Sequence, residues 1–275
     1  MVSSLSIAAM VVTMLLCFMV PVMLFILVRR KSKNITGAFF AGAVAFYVSQ
    51  MLIRIPLIQT VLPRFEWYRE FTQDIIPYAL FLSLSAALFE ETARYLAFRL
   101  LLKERQAWSC GVAFGIGHGG IEAILLIGLT YVNNIVLSIM INQNYFNTYI
   151  AGRLDEKTAA HVFSSLTQIP ASTFLAAGVE RVSAIAVHIA LSVLILEGIV
   201  RKRAFLFYFF AVASHTIINF FAVYFLYLKV DIWLVELFIA VGAAIGIMYT
   251  IISKKRFGDK IDAEDEAKKA VEEGY

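Results

Sequence analysis

The stretch "IIPYALFLSLSAALFEETARYLAFRLLLK" (75–103) decides the fold class. It is apolar over most of its length, and a helix needs roughly 20 such residues to cross a bilayer. Glu90, Glu91 and Arg94 nevertheless lie 9 to 13 residues before Lys103, which is near mid-membrane for a helix that rises about 1.5 Å per residue. A charge at that depth costs on the order of 2.5–3.5 kcal/mol. The stretch therefore predicts a membrane span whose charged residues need partners from other spans.

The composition extends this prediction to the whole chain. Of its 275 residues, 60% are hydrophobic and 16% are charged, with a mean hydropathy of +0.78. Soluble domains have about 25% charged residues. The two cysteines, Cys17 and Cys110, lie in apolar stretches, so a disulfide framework is not expected. These features predict an all-α, polytopic helical bundle in the cell membrane, with the lipid bilayer as its surroundings.

Seven stretches are long enough to span the membrane: 6–28, 35–58, 75–102, 110–136, 173–200, 204–228 and 231–252. If each one crosses, four basic clusters fall on the same side, at residues 29–33, 99–105, 201–203 and 254–256. The positive-inside rule makes that side cytoplasmic. We expect a single transmembrane domain over residues 1–252, an external N-terminus and a cytoplasmic tail over 253–275. The net charge of +4 then reports topology, so it does not indicate nucleic-acid binding.

Two features lie toward the external ends of the spans. Ala159, Phe163 and Leu166 recur at helical spacing after a potential Asp155 cap, which predicts an amphipathic helix. An interfacial position is favoured for this helix over a lid. Arg54, near the end of the second span, is expected to extend its guanidinium to the interface.

Three of the four histidines lie within spans, at nearly the depth of the glutamate pair. His188 precedes Arg201 by 13 residues, His215 follows Arg203 by 12, and His118 follows Trp108 by ten. Burying such groups without partners is costly, so we expect all three imidazoles to meet Glu90 and Glu91 in one cavity. Because the cluster lies nearer the basic ends, substrate and water are expected to enter from inside.

Spacing within the helices adds further candidates. Glu122 is four residues after His118, and Asn219 is four after His215, so each pair shares a helix face. Arg94 can neutralise Glu90 (i, i+4) or Glu91 (i, i+3) but not easily both, which leaves one carboxylate over. The neighbours Glu180 and Arg181 are interpreted as a structural pair at the outer rim.

Peptide-bond hydrolysis uses this set of groups. A buried carboxylate can take a proton from a held water. Histidine can share that water or bind zinc, and histidine and asparagine donors can stabilise the tetrahedral oxyanion. The spans contain no nucleophilic-serine motif, HExxH sequence, phosphate loop or nucleotide fingerprint.

The motifs "EETAR" (90–94), "FGIGHGGIE" (114–122) and "HTIIN" (215–219) resemble the type II CAAX prenyl endopeptidase and bacteriocin-processing superfamily of intramembrane proteases. Within it, His118-Gly-Gly-x-Glu122 and the glutamate–arginine pair before His188 are most similar to YhfC-like membrane peptidases. The resemblance covers roughly residues 75–228, the motif-bearing core.

The resemblance implies an intramembrane endopeptidase that acts on a membrane-embedded or membrane-associated peptide. A glutamate of the pair and His118 would activate water, His215 and Asn219 would form the oxyanion site, and Arg94 would hold the other glutamate. Only two residues separate Glu91 from Arg94, where the usual pattern has three. Family order therefore favours Glu90 as the base, whereas avoidance of the i, i+4 pairing with Arg94 favours Glu91.

Three alternatives remain at this level. A metalloprotease would bind zinc through His118, Glu122, His188 and His215, which form an acceptable ligand set. A non-catalytic scaffold or bacteriocin self-immunity protein would keep the cluster for assembly. An ion-coupled transporter would use it as a proton pathway, although the chain has no evident repeated halves.

Overall fold

The chain forms an all-α structure in a computed structural model that describes residues 1–272, without the side chains of residue 33 and of 259–272. No strand occurs in this part of the chain. The helices are α1 (Ser4–Lys31), α2 (Thr36–Arg64), α3 (Glu66–Phe71), α4 (Ile75–Leu101), α5 (Trp108–Asn142), α6 (Phe146–Tyr149), α7 (Glu156–Thr167), α8 (Ala171–Val200), α9 (Ala204–Tyr227) and α10 (Ile232–Glu272).

Seven helices among the described residues are long and apolar enough to cross a membrane, namely α1, α2, α4, α5, α8, α9 and the part of α10 over Ile232–Gly258. The prediction of a seven-span, multi-pass membrane protein is confirmed. The largest differences in bounds are six residues, at the ends of α2, α5 and the last span, which continue to Arg64, Asn142 and Gly258 where the pattern predicted ends near residues 58, 136 and 252.

The amphipathic helix predicted in the long loop is α7. Its Asp155 cap accepts a hydrogen bond from the Thr158 amide at 2.9 Å. Hydrogen bonds to Thr158 hold the pKa of the Asp155 carboxyl below its usual value. Leu166 is buried, and the Phe163 ring lies 6.0 Å from that of Phe146. The helix therefore packs its apolar face on the protein, next to α6.

The bundle is organised around α8, which packs against α1, α5, α9 and α10. Here we call the end of the bundle that carries the four basic clusters the basic end. In the half nearer the basic end, α2 and α5 cross at very short range through two glycines. A methyl group on Gly117 would collide with the Phe39 carbonyl, and one on Gly42 with the Phe114 carbonyl. Small residues allow this approach, as in membrane helix pairs generally.

Beyond this crossing, α2 and α5 separate. The later part of α2 packs against α4, and the later part of α5 packs mainly against α1. Each helix contains a π-helical segment where its path changes, Tyr47–Arg54 in α2 and Ala123–Gly128 in α5. Such segments are rare and often occur at functional sites. They place the separation next to Glu122.

The expectation that Arg54 reaches the membrane interface is wrong. Its side chain is turned inward and only 8% of the residue is exposed. The guanidinium donates to Gln50 Oε1 and to Ser85 Oγ, each at 3.0 Å, and to the Leu82 carbonyl at 2.6 Å. Neutral acceptors on α2 and α4 satisfy this arginine, so it joins the two helices.

Candidate active site

Helix α4 turns its charged residues to the centre of the bundle. Glu90 is 5% exposed, and Glu91 and Arg94 are fully buried. The same helix face carries only small residues one to three turns earlier, at Ala79, Ser83, Ala86 and Ala87, all of them buried. Neighbouring helices can therefore approach α4 closely and bring their own polar groups to the three charges.

Arg94 pairs with Glu91. Its Nη1 donates to both carboxylate oxygens of that residue, across the i, i+3 spacing. Glu90, at i, i+4, has no arginine partner among the described residues; its close ionisable partners are histidines. The argument from sequence that Glu91 is the freer carboxylate is therefore wrong, since the shorter spacing forms the pair.

One oxygen of Glu90 is the meeting point of the three histidines. Glu90 Oε2 lies 3.0 Å from His118 Nε2, 3.9 Å from His188 Nδ1 and 3.9 Å from His215 Nε2. The histidines come from α5, α8 and α9, and each is at most 4% exposed. The convergence expected from their matched depth is confirmed by these distances.

The partners of two imidazoles fix where their protons lie when the rings are neutral. His215 Nδ1 is 2.9 Å from Glu91 Oε1, and a carboxylate only accepts, so Nδ1 donates and Nε2 keeps its lone pair. His188 Nδ1 is 3.1 Å from Arg94 Nη2, and arginine only donates. The His188 proton is therefore on Nε2, which lies 2.6 Å from Glu122 Oε2.

Three of these residues could hold a metal ion. Single ligand atoms of Glu90, His118 and His188 lie within 4.8 Å of one another, and all three residues are buried. Two histidines and one glutamate are a known ligand set of catalytic zinc. His118 Nδ1 is buried without a hydrogen-bond partner in the described part of the chain, so this ring is not fully satisfied by the protein alone. The donor set therefore fits a metal of the zinc type.

This group differs from the ligand set expected from the sequence. Glu90 takes the place proposed for Glu122, whose Oε1 accepts from Arg181 Nη1 at 2.8 Å. His215 lies outside the group of three, although its Nε2 is near Glu90. His188 offers either nitrogen only by giving up its contact with Arg94 or with Glu122.

Asn219 does not join the cluster. It is partly exposed on α9, and among the described residues it makes no hydrogen bond to the histidines or glutamates. Its proposed oxyanion role stays a prediction. Sequence reasoning also missed Phe46, whose ring packs edge-on against His118 with centroids 5.4 Å apart. A phenylalanine in an apolar span carries no signal that could have singled it out.

Arg181 links the cluster to the half of the bundle away from the basic end. It donates through Nε to Glu180 Oε2 at 2.6 Å and pairs through Nη2 with the other oxygen of the same carboxylate. Its Nη1 reaches Glu122. The pair interpreted as a rim feature thus extends to a residue that contacts His188.

Comparison with known proteins identifies the family. The sequence profile of the YhfC intramembrane metalloprotease family matches residues 16–239, which contain the whole cluster. The chain belongs to this family. A relative from Bacillus subtilis (strain 168), described as "Uncharacterized membrane protein YhfC", is 33% identical over 245 residues, which are 88% of this chain and 94% of the relative. A search of solved structures gave no match.

The family result bears on the earlier resemblance in two ways. The similarity to YhfC-like membrane peptidases is confirmed. The placement of the YhfC family within the wider type II CAAX prenyl endopeptidase and bacteriocin-processing superfamily stays a prediction. The description of the family supports a membrane protease that uses a metal, and the Glu90–His118–His188 group provides residues for one.

Proposed function

We propose that this protein is an intramembrane metalloprotease that cleaves a peptide bond in a membrane-embedded or membrane-associated substrate. The observation that carries the proposal is the meeting of histidines from three spans within 3.9 Å of one Glu90 oxygen, in the interior of the bundle. The description of the family supports the same reaction class.

Glu90, His118 and His188 would hold the metal, and the composition of the set favours zinc over the harder ions that prefer oxygen ligands. Bound there, the ion would act as a Lewis acid that polarises the peptide carbonyl and lowers the pKa of a water. A metal on His188 Nδ1, the nitrogen that faces Glu90, would replace the contact with Arg94, and Glu122 beside Nε2 would hold the orientation of the ring. Partners of this kind tune metal affinity.

His215 is the group best placed to carry the proton. Glu91 accepts from Nδ1, so Nε2 faces Glu90 with its lone pair free. A water between the two can give its proton to Nε2, and the imidazolium can then protonate the leaving amine. Glu91 stabilises that imidazolium, as the buried carboxylate of a hydrolase triad does. Arg94 in turn fixes Glu91.

This assignment gives the two glutamates different tasks. Glu90 holds the metal and faces the reacting water, and Glu91 orients His215. It also favours proton transfer over oxyanion stabilisation for His215, because a neutral ring that donates from Nδ1 has no second proton to donate.

The test uses purified full-length protein in detergent. Metal analysis should find about one ion per chain, and His118→Asn and Glu90→Gln should lose it. Cleavage of a panel of fluorogenic transmembrane peptides should stop on chelation and return on adding zinc. Glu104→Gln, in an exposed loop, is the matched control and should behave as wild type.

Different results would exclude different parts of the proposal. Cleavage that persists in chelator, by protein without metal, would remove the metal and leave Glu90 and His215 as a metal-independent pair. Glu90→Gln with full activity would overturn the protease assignment of this cluster.

A further inference from the structure

We propose that the candidate active site opens away from the basic end, through a negatively charged cleft between the separating halves of α2 and α5. The cleft would admit water and an extended peptide segment that carries positive charge. The peptide part rests on the proposed protease function, whereas the position and charge of the cleft do not.

The first support is the path of the two helices. Near the basic end, the glycine contacts at Gly42 and Gly117 leave no space between α2 and α5. After their π-helical segments, α2 packs against α4 and α5 packs mainly against α1. We infer from these contacts that a gap between the two helices begins beside Glu122. Farther along α5, Leu129 and Val132 are exposed.

The second support is an apolar seal on the other side of the histidines. Toward the basic end, Phe98 and Phe114 are fully buried and their ring centroids are 4.6 Å apart. Ile116 and Ala113 are also fully buried. These four side chains are apolar, and the buried Ser192 hydroxyl on the same side donates to the His188 carbonyl, so the layer opposes entry of water from the basic end, contrary to the route expected from the depth of the cluster alone.

The third support is a continuous line of charged groups in the opposite direction. His188 Nε2 is 2.6 Å from Glu122 Oε2, Glu122 Oε1 is 2.8 Å from Arg181, and Arg181 holds Glu180. Side-chain exposure rises along this line from 7% at Glu90 to 14% at Glu122 and 23% at Glu180. Charged groups this deep need water or partners, so the rise marks the direction of the opening.

The charge of the cleft follows from its residues. Glu122 and Glu180 share the single cation Arg181. Glu236 of α10, which is 5% exposed, interacts electrostatically with Glu180 and Arg181, and its Oε2 has no hydrogen-bond partner in the described part of the chain. The carboxylates of Glu122 and Glu180 thus outnumber the one guanidinium, and Glu236 adds a buried carboxyl group beside them. A cleft of one charge sign in a low-dielectric surrounding concentrates the opposite charge, which here favours cationic ligands.

Thiol labelling in sealed vesicles tests the opening without any need for cleavage. Ala184 lies on the face of α8 between Arg181 and His188, so Ala184→Cys in a Cys17→Ala, Cys110→Ala background probes the cleft. Gln143→Cys and Glu104→Cys, exposed in loops at the two ends, mark the two sides. Native Cys110, alone in a Cys17→Ala background, probes the seal from two turns below His118.

Charged methanethiosulfonate reagents, which do not cross the bilayer, should label Ala184→Cys from the same side as Gln143→Cys. The ratio of cationic to anionic labelling rates should exceed that of Gln143→Cys by about tenfold, within the range of electrostatic focusing. Glu180→Gln should lower this ratio. Cys110 should stay unlabelled from both sides.

Labelling of Ala184→Cys from the Glu104→Cys side would overturn the proposed direction. Absence of labelling at Ala184→Cys and also at Ala177→Cys, two turns farther out, would overturn the cleft itself. A rate ratio equal to that of Gln143→Cys would remove the preference for cationic peptides. None of these results depends on metal or catalysis, so they are separable from failure of the protease assay.

Discussion

Replacing each glutamate of the pair by glutamine should separate stability from catalysis. The two side chains are adjacent and both buried, but only Glu91 pairs with Arg94. Glu91→Gln leaves a fully buried guanidinium without a counter-charge, whose remaining acceptors are one amide oxygen and His188 Nδ1. Glu90→Gln removes a carboxylate that faces histidines and keeps an oxygen for His118. The first change should destabilise the protein, and the second should not.

The magnitudes follow from the cost of unpaired buried charge. Breaking a buried ion pair by removing one partner costs about 3–5 kcal/mol. Exchanging one hydrogen-bond acceptor for another at Glu90 should change the free energy of unfolding by less than about 1.5 kcal/mol. For a chain of this size, each kcal/mol of lost stability lowers Tm by about 2–4 °C, so Glu91→Gln should lower Tm by about 6–20 °C. With both proteins measured free of metal, Glu90→Gln should stay within a few degrees of wild type.

Activity should follow the opposite order in folded protein. Glu90→Gln should reduce cleavage by at least about 10²-fold, because it removes a group that faces the reacting water. Thermal unfolding in one detergent, with peptide cleavage measured well below both Tm values, gives the two quantities together. Glu104→Gln is the control for losing a carboxylate in an exposed loop. A stable Glu91→Gln together with an unstable Glu90→Gln would refute the pairing on which this reasoning depends.

Three further changes test other contacts. Gly117→Ala should lower the free energy of unfolding by about 1–3 kcal/mol, because the added methyl group collides with the Phe39 carbonyl. Gly152→Ala is the control: a methyl group there meets no atom within 4 Å, so this variant should unfold like wild type. Arg181→Gln should weaken metal binding about 10–100-fold by releasing Glu122 from its place beside His188, and unchanged affinity in a metal titration would contradict that link. Zinc at about 100 times its Kd should stabilise the wild type by about 2.7 kcal/mol and leave His118→Asn unchanged, as read from Tm with and without metal.

The sequence predicts the spans and the cluster because both depend on properties that a linear pattern records. The length of apolar stretches gives the seven helices, and counting from basic ends places His118, His188 and His215 at one depth. Which glutamate pairs with Arg94 depends on side-chain rotamers, and both spacings are compatible with a helix. The inward turn of Arg54 depends on the Leu82 carbonyl and the Ser85 hydroxyl of another span. These contacts exist only after α2 and α4 have packed.

The separation of α2 and α5 could not be predicted from the sequence, because it too depends on tertiary packing. Glycines in "FGIGHGG" indicate close approach, but they do not name the partner or say where the approach ends. The close approach ends at the π-helical segments Tyr47–Arg54 and Ala123–Gly128. Apart from Gly128, neither segment contains a proline or glycine that would indicate a bend. The opening of the site is therefore a property of tertiary structure.

The polar cluster also helps to assemble the bundle, and this bears on the scaffold alternative. Apolar helix faces gain little by leaving lipid for one another, because lipid tails are equally apolar. Hydrogen bonds between spans therefore contribute to association. Arg94 joins α4 to α8, and Glu91 joins α4 to α9. Loss of stability in variants of these residues is thus expected for a scaffold and for an enzyme alike. Glu90 is different, because its partners are histidines whose nitrogens converge on one oxygen, an arrangement that assembly alone does not require. A folded Glu90→Gln protein that has lost metal and cleavage would therefore decide for the enzyme, whereas one that retains cellular function would decide for the scaffold.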